Sequence, residues 1–375
     1  MKVVARELER RLVQASSAME CLAALLDLAQ HHASAFQNRE GLRAAREALN
    51  IARVRGDSLS IGRALGTATV CHYQRGDYVS AVAAGLDAVE AYAEGDLPGR
   101  SQAFQSIALA LLSVRACELA ETVCVRAVAD ASEGADAQRE AGARSVHGVV
   151  LTDRGRFNPA RREFRSAAAT YRRLGDRVRL KKTISNLGHT YRKQADAEER
   201  AGRAQARFYL KQALRVYRIA LETGPSDADD AIILGGISEC HCRMGNLEEA
   251  RAEVARALAL AREVGSPVIL APCQLWESHI LKAMGELDAA SRACERAVEA
   301  SEQLEHDDIL VTALHAHAAI EDLRGHFERA NDLEQRARRL ALERETLLAR
   351  VREQMGPLWE RYTAERRPGS ACSAA

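Results

Sequence analysis

Aromatic residues, prolines and long apolar runs are all scarce in this sequence of 375 residues. Only 4% of the residues are aromatic and 7 are proline, whereas 47% are hydrophobic and 28% are charged. Sheets depend on aromatic and β-branched residues, so this composition argues against a β-sandwich or barrel and favours helices throughout. No apolar run reaches the ~18 residues that a membrane-spanning helix needs.

The start of the chain and its cysteines bear on the cellular compartment. Residues 1–11 are charged and lack the apolar core of a signal peptide, so we expect no export. The 9 cysteines of a long, unexported chain are then reduced thiols rather than disulfides. We therefore expect a cytoplasmic protein.

One short pattern recurs five times: a glycine, a polar residue, a large apolar residue, and an alanine at the fifth position after the glycine. The copies begin at Gly76, Gly155, Gly245, Gly285 and Gly325, which lie 79, 90, 40 and 40 residues apart. The two long intervals each equal about two periods, which predicts degenerate copies near Ala116 and in the region of residues 209–213. A period near 40 is typical of a stacked array of helix pairs, because one pair cannot bury its own apolar face.

The glycine of each copy is expected to end a first helix, where a residue with positive φ satisfies the last carbonyls. A second break follows about twenty residues later, and an Asp or Ser there is expected to cap the next helix. The predicted second breaks are Gly56-Asp57, Gly95-Asp96, Gly175-Asp176, Gly265-Ser266 and Glu305-His306-Asp307. A first copy whose marker has decayed is expected around Phe36.

The pattern resembles the tetratricopeptide repeat family, in its longer-period form found beside bacterial signalling and transcription-control modules. The most specific copy has Asn186-Leu187-Gly188 and Tyr191, followed by Gln212-Ala213, Tyr217, Ala220-Leu221 and Gly224-Pro225. The resemblance implies an all-α fold: an α-solenoid, a right-handed superhelix of about eight helix hairpins plus a long C-terminal helix. Copies one and three lack the marker glycine, and copy five carries an insertion of about ten residues around 194–207.

Four regions are predicted along the chain. Residues 1–15 form an N-terminal helix or cap, 16–345 the repeat array, 346–366 the end of a long C-terminal helix, and 367–375 a disordered tail. The terminal helix carries an apolar stripe that includes Leu347, Val351 and Met355, and Pro357 is expected to end or kink it. The stripe has two interpretations: a cap over the last repeat, or a coiled coil that forms a homodimer or transmits a signal.

Charge is divided unevenly along the chain although the net charge is only +1. Residues 139–218 contain 21 Lys/Arg and 7 Asp/Glu, net +14, whereas residues 219–321 contain 7 and 19, net −12. Many of these charges fit solvated outer faces. The alternative is a basic groove for an acidic peptide, an acidic protein surface or nucleic acid.

The resemblance also implies a binding surface. In the repeat family, set positions of the first helix face the concave surface, and Gly188 and Tyr191 fix their register in copy five. The partner-binding residues implied are Lys182, Ser185, Asn186, His189, Arg192 and Lys193. Cationic side chains with an amide can hold a carboxylate by charge-assisted hydrogen bonds. The second paired asparagine of such a clamp is missing from the other copies.

Metal-binding and catalytic patterns are weak in this sequence. Cys240-His241-Cys242 places its side chains in divergent directions on a helix, and a zinc site needs four converging ligands. The pairs His31-His32 and His315/His317 have the same weakness. Phosphate-binding loops, nucleophile elbows and kinase signatures are absent from the sequence. We expect no catalytic, cofactor or metal site.

These observations predict a non-catalytic scaffold or regulatory adaptor that binds an acidic peptide or protein surface in its concave groove. One alternative is a nucleic-acid-binding regulator that uses residues 139–218, and another is the sensor part of a bacterial signalling protein. The nucleic-acid alternative lacks a recognition motif and has few aromatics for base stacking. The sequence does not name the partner, the pathway or the oligomeric state.

Overall fold

The computed structural model describes residues 2–35, 37–92, 95–224, 228–302 and 307–364, and within these ranges it contains seventeen helices and no strand. The helices are α1 Lys2–Gln14, α2 Ala18–Ser34, α3 Asn38–Arg55, α4 Ser58–Gln74, α5 Tyr78–Ala91, α6 Leu97–Ser113, α7 Cys117–Glu133, α8 Ala137–Asp153, α9 Phe157–Leu174, α10 Arg177–Arg200, α11 Ala206–Thr223, α12 Ala228–Arg243, α13 Leu247–Val264, α14 Pro267–Ala283, α15 Leu287–Glu302, α16 Asp307–Leu323 and α17 Phe327–Ala364. None of the described helices combines the length and apolar character needed to cross a membrane.

From α2 onward the helices follow one another as eight two-helix repeats, and α17 is both the second helix of the eighth repeat and the long terminal helix. Contacts join the two helices of a repeat, as in α4 with α5 and α10 with α11. They also join first helices of neighbouring repeats, as in α4 with α6 and α10 with α12. Within α2–α7, and likewise within α10–α16, the first helices therefore lie side by side in one layer, as the 40-residue period predicts.

The marker glycines lie where the sequence predicts them. Gly76, Gly155, Gly245, Gly285 and Gly325 all have φ between 71° and 85°, in the left-handed region. Each follows a first helix, and its amide or that of the next residue bonds back to the last carbonyls of that helix. The expected role of these glycines as helix-ending residues is confirmed.

The third repeat has residues other than glycine with positive φ at turns where several other repeats have glycine. Arg115 has φ 60° and lies 39 residues after Gly76 and 40 before Gly155, at the expected position of the missing marker. Ala135 has φ 52° at the second break of the same repeat. A side chain in the left-handed region costs roughly 1–2 kcal/mol, so this repeat keeps its turns at a cost in stability.

Aspartates cap several first helices as expected. The carboxylates of Asp57, Asp96 and Asp176 each accept a hydrogen bond from the backbone N–H three residues later. The expectation for Ser266 is wrong: its side chain makes no capping bond. Instead Pro267 occupies the first turn of α14, where a missing N–H leaves no bond unmade. Phe36, Pro225, Glu305, His306 and the predicted tail at 367–375 lie outside the described residues.

The insertion of the fifth repeat lengthens its first helix. α10 has 24 residues, whereas α4, α6 and α8 have 17 each. The added turns end at Gly202, whose φ of 64° allows the reversal into α11. Residues 194–207 are therefore two further turns of helix and a tight turn.

The chain divides into two compact units, one of residues 1–150 with 348–375 and the other of residues 151–347. The core of the first unit includes the fully buried Phe104, Ile107 and Leu111 of α6. The end of α17 completes this core, because its Leu348, Val351 and Met355 belong to the same buried cluster.

Within the first unit, Arg352 of α17 also donates a hydrogen bond of 3.0 Å from Nη1 to the carbonyl oxygen of Val114. α17 continues through Pro357 to Ala364, so this proline does not end the helix. Val351 and Met355 of the predicted stripe are thus buried within the first unit, whereas Leu347 is exposed. The start of α17 packs on the last repeat, as the first interpretation predicts, because Ala337 clusters there with Leu310 and Leu314 of α16. The homodimer interpretation stays a prediction.

The second unit is packed largely through alanines at repeat-related positions. Ala250, Ala290 and Ala330, which follow three of the marker glycines, are all buried. Ala250 packs with Val254 and Ile280, so a small side chain lets the helices of adjacent repeats approach. The marker alanines therefore serve close helix packing.

Candidate functional site

The predicted partner-binding residues all lie on α10, the first helix of the fifth repeat. Residues 182, 186, 189 and 193 fall on one face, since successive helical residues turn by 100°. Lys182 and Lys193 mark the two ends of this face, and eleven residues of helix separate them by about 16.5 Å at 1.5 Å per residue. We call this surface the α10 face; it comprises Lys182, Ser185, Asn186, His189, Arg192 and Lys193.

The two lysines at the ends of the α10 face carry uncompensated charge. Lys182 is exposed and Lys193 is half-buried. Among the described residues, neither has a carboxylate within the 4.0 Å of an ion pair, whereas Arg192 between them does. Ser185 and Asn186 are half-buried beside them and can donate hydrogen bonds. The face therefore offers two cations and neutral donors to a ligand.

Arg192 is bound within the protein rather than free for a partner. Its Nη1 lies 2.5 Å from Oε2 of Glu239 on α12, and its Nη2 lies 3.0 Å from Nδ1 of His189. The same Glu239 oxygen accepts a hydrogen bond of 3.2 Å from the indole nitrogen of Trp276 on α14. One carboxylate thus links the first helices of three consecutive repeats.

The ionisation of this cluster follows from its burial and charges. Burial, together with the charges of Arg192 and Lys193, lowers the pKa of His189 to about 3, so the imidazole is neutral near pH 7. Burial alone would lower the pKa of Arg192, but the charge and hydrogen bond of Glu239, with the charges of Tyr217 and Asp196, raise it overall. His189 therefore acts as a neutral hydrogen-bonding group, and Arg192 stays charged.

Glycines make room for the large rings around the cluster. A Cβ on Gly188 would lie 2.7 Å from Cδ1 of Tyr217, and one on Gly236 would lie 2.8 Å from its Cζ. On Gly235 a Cβ would overlap the ring of Trp276. These positions accept only glycine if the rings are to reach between the helices, so the Gly188 signature residue serves ring packing.

Further ion pairs join α10 to α12. Arg243 of α12 lies 2.5 Å from Asp196 and 2.9 Å from Glu199, both on α10. Lys181 of α10 is fully buried and pairs with Asp230 of α12. Part of the opposed charge of the basic and acidic blocks is therefore neutralised between neighbouring repeats.

The sequence analysis did not identify Glu239, Arg243 or Trp276 as parts of this site. A signal for the first two was present, because Glu239 lies six residues before the marker Gly245 and Arg243 lies two before it. In the register used for copy five, Glu239 and Arg243 occupy the positions that His189 and Lys193 occupy on α10, which the resemblance places on the concave surface. Trp276 has no comparable signal, since its contact depends on the glycine at 235.

The cysteines and histidines that might suggest a metal are dispersed. Cys240 is fully buried, and burial raises the pKa of its thiol to about 12. His241 is buried and its Nδ1 lies 3.3 Å from the amide nitrogen of Asn246. No group of three or more His, Cys, Asp or Glu side chains converges as metal ligands within the part of the chain that the structure describes.

A second buried polar cluster lies in the last repeats. The hydroxyl of Ser291 is 3.2 Å from Nε2 of His317 and 2.5 Å from Oε1 of Glu321. Glu321 is also held by Arg324 and His326, each at 2.7 Å. In a hydrolytic triad the serine and the acid bind opposite nitrogens of the imidazole ring. Here Ser291 and Glu321 both lie beside Nε2 of His317, so the arrangement is not that of a triad. The cluster has the geometry of an internal cross-link.

The sequence of this chain shows only limited similarity to known proteins. The family model for anaphase-promoting complex subunit 5 matches residues 7–89 and 236–284. No curated protein matches the chain in sequence.

Solved structures give a much broader likeness. A Rap protein complexed with competence and sporulation factor is 15% identical with a TM-score of 0.55, covering 88% of this chain and 99% of that one. The Rap conjugation gene regulator of plasmid pLS20, in complex with the Phr* peptide, is 13% identical with a TM-score of 0.57 over 89% and 97% of the two chains. A tetratricopeptide repeat protein from Parabacteroides merdae is 12% identical with a TM-score of 0.50 over 82% and 98%.

The chain has the tetratricopeptide repeat fold. The helix count, the 40-residue period and the likeness to these three structures agree on this point. At identities of 12–15% the comparison supports the fold, and the resemblance inferred from Gly188 and Tyr191 is confirmed at that level. The α10 face lies on the first helix of a tetratricopeptide-type repeat.

Proposed function

We propose that this protein is a non-catalytic, cytoplasmic regulatory adaptor that binds an acidic peptide or protein segment on the α10 face. Lys182 and Lys193 bind carboxylates of the partner, and Asn186 and Ser185 donate hydrogen bonds between them. One observation carries the proposal. Lys182 and Lys193 have no carboxylate partner among the described residues, whereas Arg192, on the same face of α10, is paired with Glu239.

The spacing of the lysines defines the ligand. The two side chains originate about 16.5 Å apart along the helix. An extended peptide advances about 3.3 Å per residue, so carboxylates about five residues apart reach both lysines. We therefore expect a partner motif with Asp or Glu at positions i and i+5, give or take one residue.

Arg192 has a positioning role in this proposal. Its guanidinium holds Glu239 at 2.5 Å and His189 at 3.0 Å, and so fixes the floor between the two lysines. A partner carboxylate that displaced Glu239 would break this ion pair and leave Glu239 with the more distant Arg243, at 3.7 Å, as its cation. The ligand is thus expected to bind above this pair.

The peptide complexes among structures of similar fold support a peptide ligand. The Rap protein was solved with competence and sporulation factor and the plasmid regulator with the Phr* peptide. Both have the same repeat architecture over most of this chain, so such a stack of helices can accommodate a peptide.

Selection from a random peptide library tests the proposal without a known partner. Selected peptides are expected to be enriched in Asp and Glu about five residues apart, and Lys182→Ala and Lys193→Ala should each weaken their binding by about fivefold to a hundredfold, or ~1–3 kcal/mol. Arg173→Ala is the matched control, an exposed cation near the end of α9. If the control weakens binding equally, only net charge matters and the site assignment is wrong.

Nucleic acid is the other ligand class for residues 139–218. Binding to phosphate backbones falls steeply with salt because several counterions are released, whereas two lysines give a shallow dependence. The internal pairing of Lys181 and Arg192 reduces the charge available to phosphates and favours the peptide. A steep salt dependence, with no preference for acidic peptides, would favour nucleic acid instead.

A further inference from the structure

A second, separate pocket lies between α9, α10 and α11 in the unit of residues 151–347. It is open to solvent and has a volume of about 400 Å³. Its lining residues are Asn158, Arg161, Arg162, Arg165, Tyr191, Phe208, Tyr209 and Gln212. Tyr191 points away from the α10 face, because it lies two residues, or about 200°, from His189 around the helix. The pocket is therefore distinct from the proposed peptide site.

The positive charge of this pocket is uncompensated. Arg161, Arg162 and Arg165 have no carboxylate within 4.0 Å among the described residues, and the lining contains no acidic side chain. Elsewhere in this unit arginines commonly have one, as in Arg179 with Asp176 and Arg203 with Glu198. Three guanidinium groups within five residues of one helix, without counter-charge, point to an anion supplied from outside.

The contacts of two of these arginines are neutral and fix their positions. Arg161 donates to Oδ1 of Asn158 and to Oε1 of Gln194, and its guanidinium lies 5.0 Å from the ring centroid of Tyr191. Arg165 donates to the Tyr191 hydroxyl at 3.1 Å. These partners hold the cations in place and leave their charge intact, whereas Arg162 makes no hydrogen bond or ion pair within the described residues.

An aromatic wall faces the cationic one. Phe208 is 55% exposed although it is a large apolar residue, and its ring meets that of Tyr209 edge-on at 5.2 Å between centroids. Both residues lie in the first turn of α11, directly after the turn that the insertion adds. An exposed ring held in this way offers a face on which a planar ligand can stack.

We propose that this pocket binds a phosphate monoester carried on a planar ring, the chemistry of a mononucleotide. Arg162 and Arg165 take the phosphate by charge-assisted hydrogen bonds, and Phe208 stacks on the ring. The volume of about 400 Å³ lies within the range of small-ligand pockets. Cation and aromatic walls together favour this ligand over a bare anion, which needs no stacking face.

Calorimetric titration of the full chain with adenosine 5′-monophosphate tests the proposal, with adenosine and inorganic phosphate as probes of the two halves. Saturable binding of the monophosphate is expected, with binding of adenosine and of phosphate at least tenfold weaker. Arg162→Gln should weaken monophosphate binding at least tenfold and Phe208→Ala at least threefold. Arg162 and Phe208 are exposed, so both variants should keep the thermal midpoint of the parent.

Three results would overturn the proposal: no saturable binding at millimolar ligand, equal weakening by Arg173→Gln, or phosphate binding as tight as that of the monophosphate with no effect of Phe208→Ala. Arg173 is an exposed cation on the same helix outside the pocket lining. The peptide-binding test uses Lys182 and Lys193, so either proposal can fail while the other stands.

Discussion

Met355→Ala tests whether the terminal helix packs on the N-terminal repeats. Met355 is 1% exposed and belongs to the core of the first unit. The substitution removes three heavy atoms, about 2.4 kcal/mol of transfer free energy at ~0.8 kcal/mol each. The residual cavity adds to this loss, so we expect a decrease of about 2–5 kcal/mol in the free energy of unfolding.

Urea denaturation of the full chain measures this loss, and Leu347→Ala is the matched control on the same helix. Leu347 is 58% exposed, so its truncation should cost less than about 0.5 kcal/mol. The midpoint should also be independent of protein concentration, since the contact is made within one chain. Equal effects of the two variants, or a midpoint that rises with concentration, would show that the stripe packs elsewhere or on a second copy.

Three further predictions concern turns and ionisation. Gly155→Val should lower the free energy of unfolding by about 1–3 kcal/mol through backbone strain alone, because φ is positive there and a Cβ would meet no neighbouring atom. Gly95 is the control: a Cβ there also meets no atom but φ is not positive, so Gly95→Ala should change denaturation midpoints little. Arg115→Gly should raise stability by about 0.5–1 kcal/mol, since relief of strain exceeds the added entropy of the unfolded chain; a lower thermal midpoint would refute this. The pKa of His189 is lower in the folded than in the unfolded protein, so protonation of the ring favours unfolding. The stability that the neutral ring provides is complete above about pH 6.5 and is lost as the pH falls toward 3. Urea midpoints across that range should therefore fall less in His189→Gln than in the parent, whereas those of His31→Gln should follow the parent.

The local features of the repeats could be predicted because the chain geometry at each turn demands particular residues. A left-handed turn selects glycine, so Gly155 and Gly245 were recognisable from type and spacing alone. The third repeat shows the limit of that reasoning. Its period places a turn near residue 115, but nothing in the residue type reveals that Arg115 adopts positive φ.

Long-range contacts could not be predicted from periodicity. The stripe of Val351 and Met355 indicates an apolar helix face, yet its partner surface lies far away in sequence, and Arg352 reaches a carbonyl 238 residues distant. Periodicity likewise places Lys182 and Arg192 on α10. The pairing of Arg192 with Glu239 depends on how α12 packs against α10, which no single-helix pattern contains.

A charge-swap experiment on the α10 face tests the central claim most directly. The experiment uses two proteins, the parent chain and Lys193→Glu. It also uses two peptides: a library-selected acidic peptide, and a variant of it in which the Asp or Glu that faces Lys193 is replaced by Lys. Each peptide is titrated into each protein. We predict that each single swap weakens binding by at least tenfold, or about 1.4 kcal/mol, and that the double swap restores affinity to within about threefold of the parent pair. Weakening in the double swap equal to the sum of the two single effects would contradict the account, because it would show that Lys193 does not contact the peptide's carboxylate.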